Sequence, residues 1–183
     1  MATARKRGIM KTETRNGLAT AFVLMTGLGL GPSALAAPED TDGFVRIAPA
    51  DLRWIDIPGG HGAQSVKLLG DASKPGIYVV RTKFPPHWMD TPHSHSGDRY
   101  VTVLQGTWYA GTGPIFDLSK ATPLGAGSIM KHPANGVHWD GSAGDEPVIV
   151  QIVGVGPITT TQVDPKGPGW VRATAPAATA PGR

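Results

Sequence analysis

The sequence predicts an all-β fold, a sandwich or a barrel, from about residue 43 to residue 163. Short runs rich in β-branched and aromatic residues alternate there with clusters of Gly, Pro, Asp and Asn, and no stretch shows sustained helical periodicity. The 25 glycines and 17 prolines among 183 residues suit frequent turns and disfavour a helical bundle. Many short strands with closely spaced turns are typical of sandwiches and barrels.

Eight runs are the strand candidates, and the connection at 114–127 is expected to carry one helical turn outside the barrel. In chain order the runs are LRWIDI (52–57), QSVKLL (64–69), GIYVVRTKF (76–84), RYVTVLQ (99–105), GTWYAGT (106–112), GSIMKH (127–132), PVIVQIVGV (147–155) and ITTTQV (158–163).

The first 36 residues have the pattern of a secretory signal peptide. Five basic residues lie between positions 5 and 15, an apolar run follows at 18–31, and the tripeptide Ala-Leu-Ala at 34–36 is a typical cleavage sequence. An uncleaved anchor is the alternative, but the apolar run is shorter than the roughly 20 residues that a spanning helix needs. We expect cleavage after Ala36, a periplasmic or secreted protein, and no stable membrane insertion after cleavage.

Removing this leader changes the charge balance. Five of the 17 Lys and Arg and one of the 14 Asp and Glu lie in it, which leaves 12 basic against 13 acidic residues. The basic character belongs to the leader, so the composition gives no reason to expect nucleic-acid binding. Because the chain has no Cys, it has neither disulfides nor a cysteine-linked lipid anchor.

The remaining chain divides into three predicted parts. Residues 37–50 form an N-terminal arm, residues 51–163 form the β-barrel domain, and residues 164–183 form a tail rich in Pro, Ala and Gly. The tail has few large apolar side chains to offset its ordering entropy, so we expect it to lie outside the barrel and to be disordered beyond about Arg172.

The stretch HSHSGDRYVTVLQG at 93–106 contains the strongest functional pattern. His93 and His95 are two residues apart, so on a strand both imidazoles point to one face and can bind one ion. A facial site needs a third ligand, and His138 follows a Pro-Asn-Gly turn at the start of a later strand. The sequence therefore predicts a metal site of His93, His95 and His138.

These two stretches resemble the two conserved motifs of the cupin superfamily, G-x5-H-x-H-x3-4-E-x6-G and G-x5-P-x-G-x2-H-x3-N. His93, His95 and Gly106 match the first motif, and Gly127, Pro133 and His138 match the second. The resemblance covers about residues 50–160. It implies a small double-stranded β-barrel, or jelly roll, that holds one divalent metal in its mouth, commonly as a homodimer.

The chain departs from the family pattern at the position of the glutamate ligand, which is Arg99. By parity Arg99 faces the same side as the two histidines, where a fixed cation disfavours a dication and suits an anion. Asp98 is of opposite parity and would become a ligand only through a bulge.

Three further motif positions differ: His87 and Asn135 replace glycines, and Ser142 replaces the last asparagine. The change to Asn135 is mild because Asn tolerates the positive φ that such turns often require.

Three residues near the motifs are candidates for a fourth ligand or an acid-base role. They are His87, His132 and Asp140, and each has an alternative reading as a surface or turn residue. Asp140 lies two residues after His138 and is expected to share its face as a general base or as a partner of the histidine. With Arg99, we name His132 and Asp140 as catalytic candidates.

Two functions from different classes are compatible with this sequence. The first is a metalloenzyme that acts on a small anionic or enolisable molecule, with Arg99 pairing with a substrate oxyanion. The family resemblance implies dioxygenase-like cleavage first and lyase or isomerase chemistry second. The second is a periplasmic module that captures or senses a metal or small ligand without chemistry. The ion could be Fe, Zn, Ni, Cu or Mn; an oxidising compartment favours Zn, Ni or Cu over iron.

Overall fold

The computed structural model describes residues 42–175. The predicted signal peptide and the predicted disorder of the last eight residues lie outside the described residues. The described chain is nearly all β, as predicted, with two short 3-10 helices at Pro49–Asp51 and Leu118–Lys120. The second helix is the single turn expected in the connection at 114–127. No helix within 42–175 combines the length and apolar character needed to span a membrane.

Residues 42–175 form thirteen strands. They are β1 (Ile55–Asp56), β2 (Gln64–Leu69), β3 (Gly76–Phe84), β4 (Trp88–Asp90), β5 (His93–His95), β6 (Arg99–Gln105), β7 (Trp108–Thr112), β8 (Thr122–Leu124), β9 (Ile129–His132), β10 (His138–Gly141), β11 (Val148–Gly156), β12 (Thr160–Gln162) and β13 (Trp170–Arg172).

The strands form two antiparallel sheets. The first sheet has the order β1-β2-β3-β11-β6-β9, and the second has the order β12-β5-β10-β4-β13, with β7 bridging β10 and β8. In the first sheet, the long strands β3 and β6 each pair with β11 over most of their length. The strands of the second sheet are short, and several of them pair at only one to three positions.

The inner face of the first sheet carries the main apolar core. Side chains alternate along β11, where Val148, Val150 and Ile152 are buried and Val155 is 63% exposed. Tyr78 and the other buried residues of β3 and β6 pack against them. This period-2 pattern is what a half-buried antiparallel strand requires.

A second apolar cluster lies on the other face of the second sheet. Trp139 is buried there with Met89, and Phe116 of the connection packs against the indole ring at 4.7 Å between centroids. Because Trp139 and His138 are adjacent on the strand, their side chains lie on opposite faces of the sheet, and the tryptophan faces away from the histidines.

The chain after Val163, predicted to lie outside the barrel, contributes a strand. β13 pairs antiparallel with β4, and Ala173 is buried in the second cluster. The ring of Trp170 lies 5.8 Å from that of Phe84. Pairing with β4 and the packing of Trp170, Val171 and Ala173 therefore hold this part of the tail against the barrel.

Candidate metal centre

The register of the second sheet brings the three predicted ligands together. His93 and His95 are the two buried residues of β5, and His138 on β10 is the direct antiparallel partner of His93. The turn before β10 depends on Asn135, whose φ of 61° is the left-handed conformation predicted for that position. One ring nitrogen from each histidine lies within 4.8 Å of the others. We call these three residues the outer triad.

Hydrogen bonds fix the orientation of two of the three rings. The Nδ1 atoms of His93 and His138 lie 2.9 Å from the carbonyl oxygens of Thr91 and Gly136, so each Nδ1–H donates to the backbone. The Nε2 atom of each ring then carries the free lone pair that a metal ion needs. A histidine held in this way through its second nitrogen is typical of metal ligands.

His95 differs because its Nδ1 lies between two polar groups. The Thr160 hydroxyl is 3.0 Å away and Nη1 of Arg99 is 3.3 Å away. An arginine can only donate, so this contact favours the tautomer with its proton on Nε2. That nitrogen is buried and has no hydrogen-bond partner. Arg99 therefore opposes metal binding by His95 through its hydrogen bond as well as its charge.

Arg99 points into the site, as parity predicts. It is largely buried, and its positive charge interacts with Asp140, Tyr78 and Asp90, although burial lowers its pKa. Asp98 lies on the opposite face, where its carboxylate pairs with Lys131 at 2.7 Å and accepts from the Ala134 backbone N–H at 2.8 Å. Asp98 is therefore a surface residue and not a ligand.

Asp140 shares the face of His138 and is buried beside it. Its Oδ2 lies 4.0 Å from Nε2 of His138, and its Oδ1 accepts a hydrogen bond of 2.9 Å from the indole N–H of Trp108. The indole leaves the second carboxylate oxygen facing the histidine. The predicted proximity of these two residues is therefore present in the structure.

Asp90 is a functional candidate that the sequence reasoning missed. Its Oδ1 accepts a 2.7 Å hydrogen bond from the backbone N–H of Asp140, and it lies 3.8 Å from Nδ1 of His93. Burial, together with the adjacent Asp140, raises the pKa of Asp90 well above its usual range. Asp90 lies only three residues before His93, but Thr91 and Pro92 interrupt the strand between them. Strand parity therefore does not predict that these two side chains meet.

Two more histidines were candidates, and they have different surroundings. His132 on β9 is buried against His138, with ring centroids 3.7 Å apart, and it forms a ligand group with His138 and Asp140. His87 instead lies 3.0 Å from Asp145, whose side chain is exposed, and belongs to none of the ligand groups within residues 42–175.

Burial keeps these histidines neutral. It lowers the pKa of His95 to about 2, with further contributions from Arg99 and the neighbouring histidines. Burial also lowers the pKa of His132 to about 3 and that of His138 to about 4, partly offset in both by Asp140. Neutral imidazoles are the form that binds a metal ion.

A cavity of about 270 Å³ opens beside the cluster. Its polar wall includes His93, His95, Arg99, Asp90 and Asp140, and Thr160 and Gln162 of β12 lie at its edge. Its apolar wall is formed by Ile57, Phe84, Val101, Val150, Ile152 and Trp170, among others. The cavity is below the usual size of drug-binding pockets, so it suits a small molecule.

The donor set fits a divalent transition metal. The Nε2 atoms of His95 and His138 are buried without hydrogen-bond partners, which is costly unless an ion or water satisfies them. Imidazole donors suit Zn, Ni, Cu and Fe. These histidines can therefore hold a metal ion.

Comparisons with known proteins give one curated relative and many structural neighbours. A germin-like protein of Mesembryanthemum crystallinum is 29% identical over 119 residues, which is 62% of this chain. The chain spans about half the length of that relative, 46% of it. A scan against protein-family models finds no match.

Several of the structural neighbours are described as cupins. A sugar phosphate isomerase of the cupin superfamily from Silicibacter pomeroyi has a TM-score of 0.53 and 16% identity, covering 72% of this chain and 97% of its own. The polyketide cyclase RemF of Streptomyces resistomycificus has a TM-score of 0.52 and 16% identity, covering 63% of this chain and 83% of its own. The DMSP lyase DddQ of Ruegeria pomeroyi has a TM-score of 0.52 and 16% identity, covering 64% of each chain. The likeness to these structures shows that this chain has the double-stranded β-barrel fold of the cupins.

Proposed function

We propose that this protein is a metal-dependent enzyme that transfers protons on a small anionic organic molecule, in an isomerase- or lyase-type reaction. The observation that carries the proposal is that histidines of a metal-binding cluster, a buried guanidinium and a carboxylate line one small cavity. A bound divalent ion would supply a Lewis acid that polarises a substrate carbonyl or carboxylate oxygen.

Arg99 is the group that binds the substrate anion. Its guanidinium lines the cavity, and its Nε is buried without a hydrogen-bond partner. A carboxylate or enolate oxygen would satisfy that donor and form a charge-assisted hydrogen bond. The same residue that weakens metal binding therefore gives the site its preference for anions.

Asp140 is the group that accepts the proton. Trp108 binds one of its oxygens, and the other faces the cluster. Asp90 positions the strand that carries this carboxylate through the backbone N–H of Asp140. The apolar wall excludes water from the reacting carbon, and an acid-base group aligned in this way is what proton transfer requires.

The comparisons support proton-transfer chemistry over oxygen-dependent cleavage. Three neighbours with TM-scores above 0.5 are named an isomerase, a lyase and a cyclase. The fold hosts many activities, so the argument depends on the carboxylates in the cavity. Dioxygenase-like cleavage gives no role to Asp140, whereas an isomerase or lyase needs such a base.

Capture of an anion without chemistry is the second candidate function. The observation that favours it is the position of Arg99, since a cation replaces the family's carboxylate ligand and contacts His95. A binding module would use Arg99 and the metal in the same way but would not require Asp140.

The first test removes His138, which is a member of two of the three possible ligand groups within residues 42–175; the third is Asp90, His93 and Asp140. Wild type, loaded with Zn²⁺ and desalted, is expected to retain about one equivalent by elemental analysis, and His138→Ala is expected to retain none. His61→Ala is the control, because His61 stacks on Trp88 and belongs to none of the ligand groups within the described residues. A metal content unaffected by His138→Ala would contradict the site.

The second part of this test measures turnover with pyruvate, a small enolisable anion, as the probe. NMR in D₂O follows deuterium incorporation at its methyl carbon with and without Zn²⁺. Metal-dependent exchange, expressed per bound Zn²⁺, is expected to fall at least tenfold in Asp140→Asn. Retained metal with saturable pyruvate binding and no exchange would favour capture over catalysis.

A further inference from the structure

His132 is buried with both ring nitrogens unpartnered. Its side chain is 1% exposed, and neither Nδ1 nor Nε2 has a hydrogen-bond partner. Native structures rarely leave a buried imidazole without any partner, because water would have satisfied both nitrogens in the unfolded chain. A bound group that satisfies at least one of these nitrogens would therefore account for His132.

His132 forms a possible ligand group with His138 and Asp140. One atom from each of these three residues lies within 4.8 Å of the others, and all three residues are buried. Because Nδ1 of His138 donates to the backbone, Nε2 is the nitrogen of this ring that is free to bind an ion. Oδ2 of Asp140 lies 4.0 Å from that Nε2. We call His132, His138 and Asp140 the inner triad.

The inner triad is better suited to a dication than the outer triad. It contains a carboxylate, so one negative charge compensates the ion, whereas the outer triad has three neutral rings. Arg99 lies 3.3 Å from His95, a member of the outer triad alone, and favours the wrong tautomer there. Two imidazoles and one carboxylate are a donor set that zinc and related ions bind readily.

We infer that, without an anionic ligand, a divalent ion binds at the inner triad of His132, His138 and Asp140 and not at the outer triad. His138 has one free nitrogen, so the two positions exclude each other. Asp140 then supplies the carboxylate ligand that the family's pattern has at the position of Arg99. The inference goes beyond the proposed function, which requires a bound ion without choosing its ligands. It gives Asp140 a second role, as a ligand of the ion while no anionic substrate is bound.

Matched substitutions separate the two positions. His132→Gln removes a ligand from the inner triad only, and His95→Gln removes one from the outer triad only. Co²⁺ is the probe, because its visible absorption reports the ligand set as well as the affinity. We expect His132→Gln to weaken Co²⁺ binding at least tenfold and to change the spectrum. We expect His95→Gln to stay within threefold of wild type with the same spectrum.

The opposite result, a loss in His95→Gln with wild-type binding in His132→Gln, would place the ion in the outer triad and overturn the inference while the proposed function stands. Equal losses in both variants would overturn it too, because two positions that exclude each other cannot both be needed to bind one ion. Failure of wild type to bind Co²⁺ would remove both proposals. If near-ultraviolet circular dichroism shows that His132→Gln does not fold, Asp140→Asn replaces it with the same expectation.

Discussion

The two sheets of this barrel are stabilised in different ways. The first sheet has long strands with regular pairing and an apolar inner face. The second has short strands whose buried positions include His93, His95, His138 and Asp140. Burying imidazoles and a carboxylate costs free energy that burying valines does not. The comparison indicates that the first sheet contributes most of the stability and that the polar site on the second sheet lowers it.

Acidification should act through three buried histidines of the site, two on the second sheet and His132 on β9 of the first, and it is the largest effect we expect. In the folded protein the pKa values of His95, His132 and His138 are lowered to about 2, 3 and 4. The unfolded chain binds these protons near pH 6.5, so stability is fully present above that pH and is lost as pH falls. Between pH 7 and pH 5 each buried histidine should cost roughly 2 kcal/mol.

Urea unfolding of metal-free protein with a chelator present measures this loss. His132→Phe removes one of the three groups and keeps a ring at that position, so its stability should depend less steeply on pH. A slope identical to that of wild type would show that His132 is not part of the effect.

Removing two methyl groups from the first sheet should have a smaller effect and leave the site unchanged. Val148 is fully buried in the core, so Val148→Ala should lower the free energy of unfolding by about 2 kcal/mol. Val155→Ala is the matched control on the same strand, because Val155 faces outward and should change stability by less than about 0.5 kcal/mol. Urea unfolding at pH 7.5 measures both. Equal losses in the two variants would mean that the faces of β11 are not energetically distinct.

The sequence predicted the first sheet better than the second, for a physical reason. The bounds of β2, β3 and β6 agree residue for residue with the predicted runs at 64–69, 76–84 and 99–105. Long strands carry several periods of alternation, whereas β4 and β13 have three residues each and were not predicted. β4 and β13 pair with each other although they lie far apart in the sequence, and local patterns do not encode such a pairing.

The same difference applies to the site. Motif spacing predicted that His93, His95 and His138 would meet, and parity placed Arg99 and Asp140 on their face. Asp90 was missed because a turn separates it from β5. Export through residues 1–36 and association into a homodimer stay predictions.

The smallest expected effect concerns Arg99, where the polar sheet meets the apolar one. Arg99 belongs to β6 of the first sheet, yet its side chain contacts His95 of the second. Arg99→Met keeps much of the apolar stem and removes the charge and the donor, so it frees the outer triad. Co²⁺ affinity should rise at least tenfold, about 1.4 kcal/mol, because a buried positive charge no longer repels the ion.

Lys131→Met is the control for Arg99→Met, since it removes the same charge from the outer face of the neighbouring strand, where Lys131 pairs with Asp98. It should leave Co²⁺ affinity within twofold, because solvent screens an exposed charge. Equal gains in the two variants would attribute the effect to net charge and not to the position of Arg99. A gain confined to Arg99→Met, together with a changed Co²⁺ spectrum, would show that the side chain of Arg99 decides which of the buried histidines hold the ion.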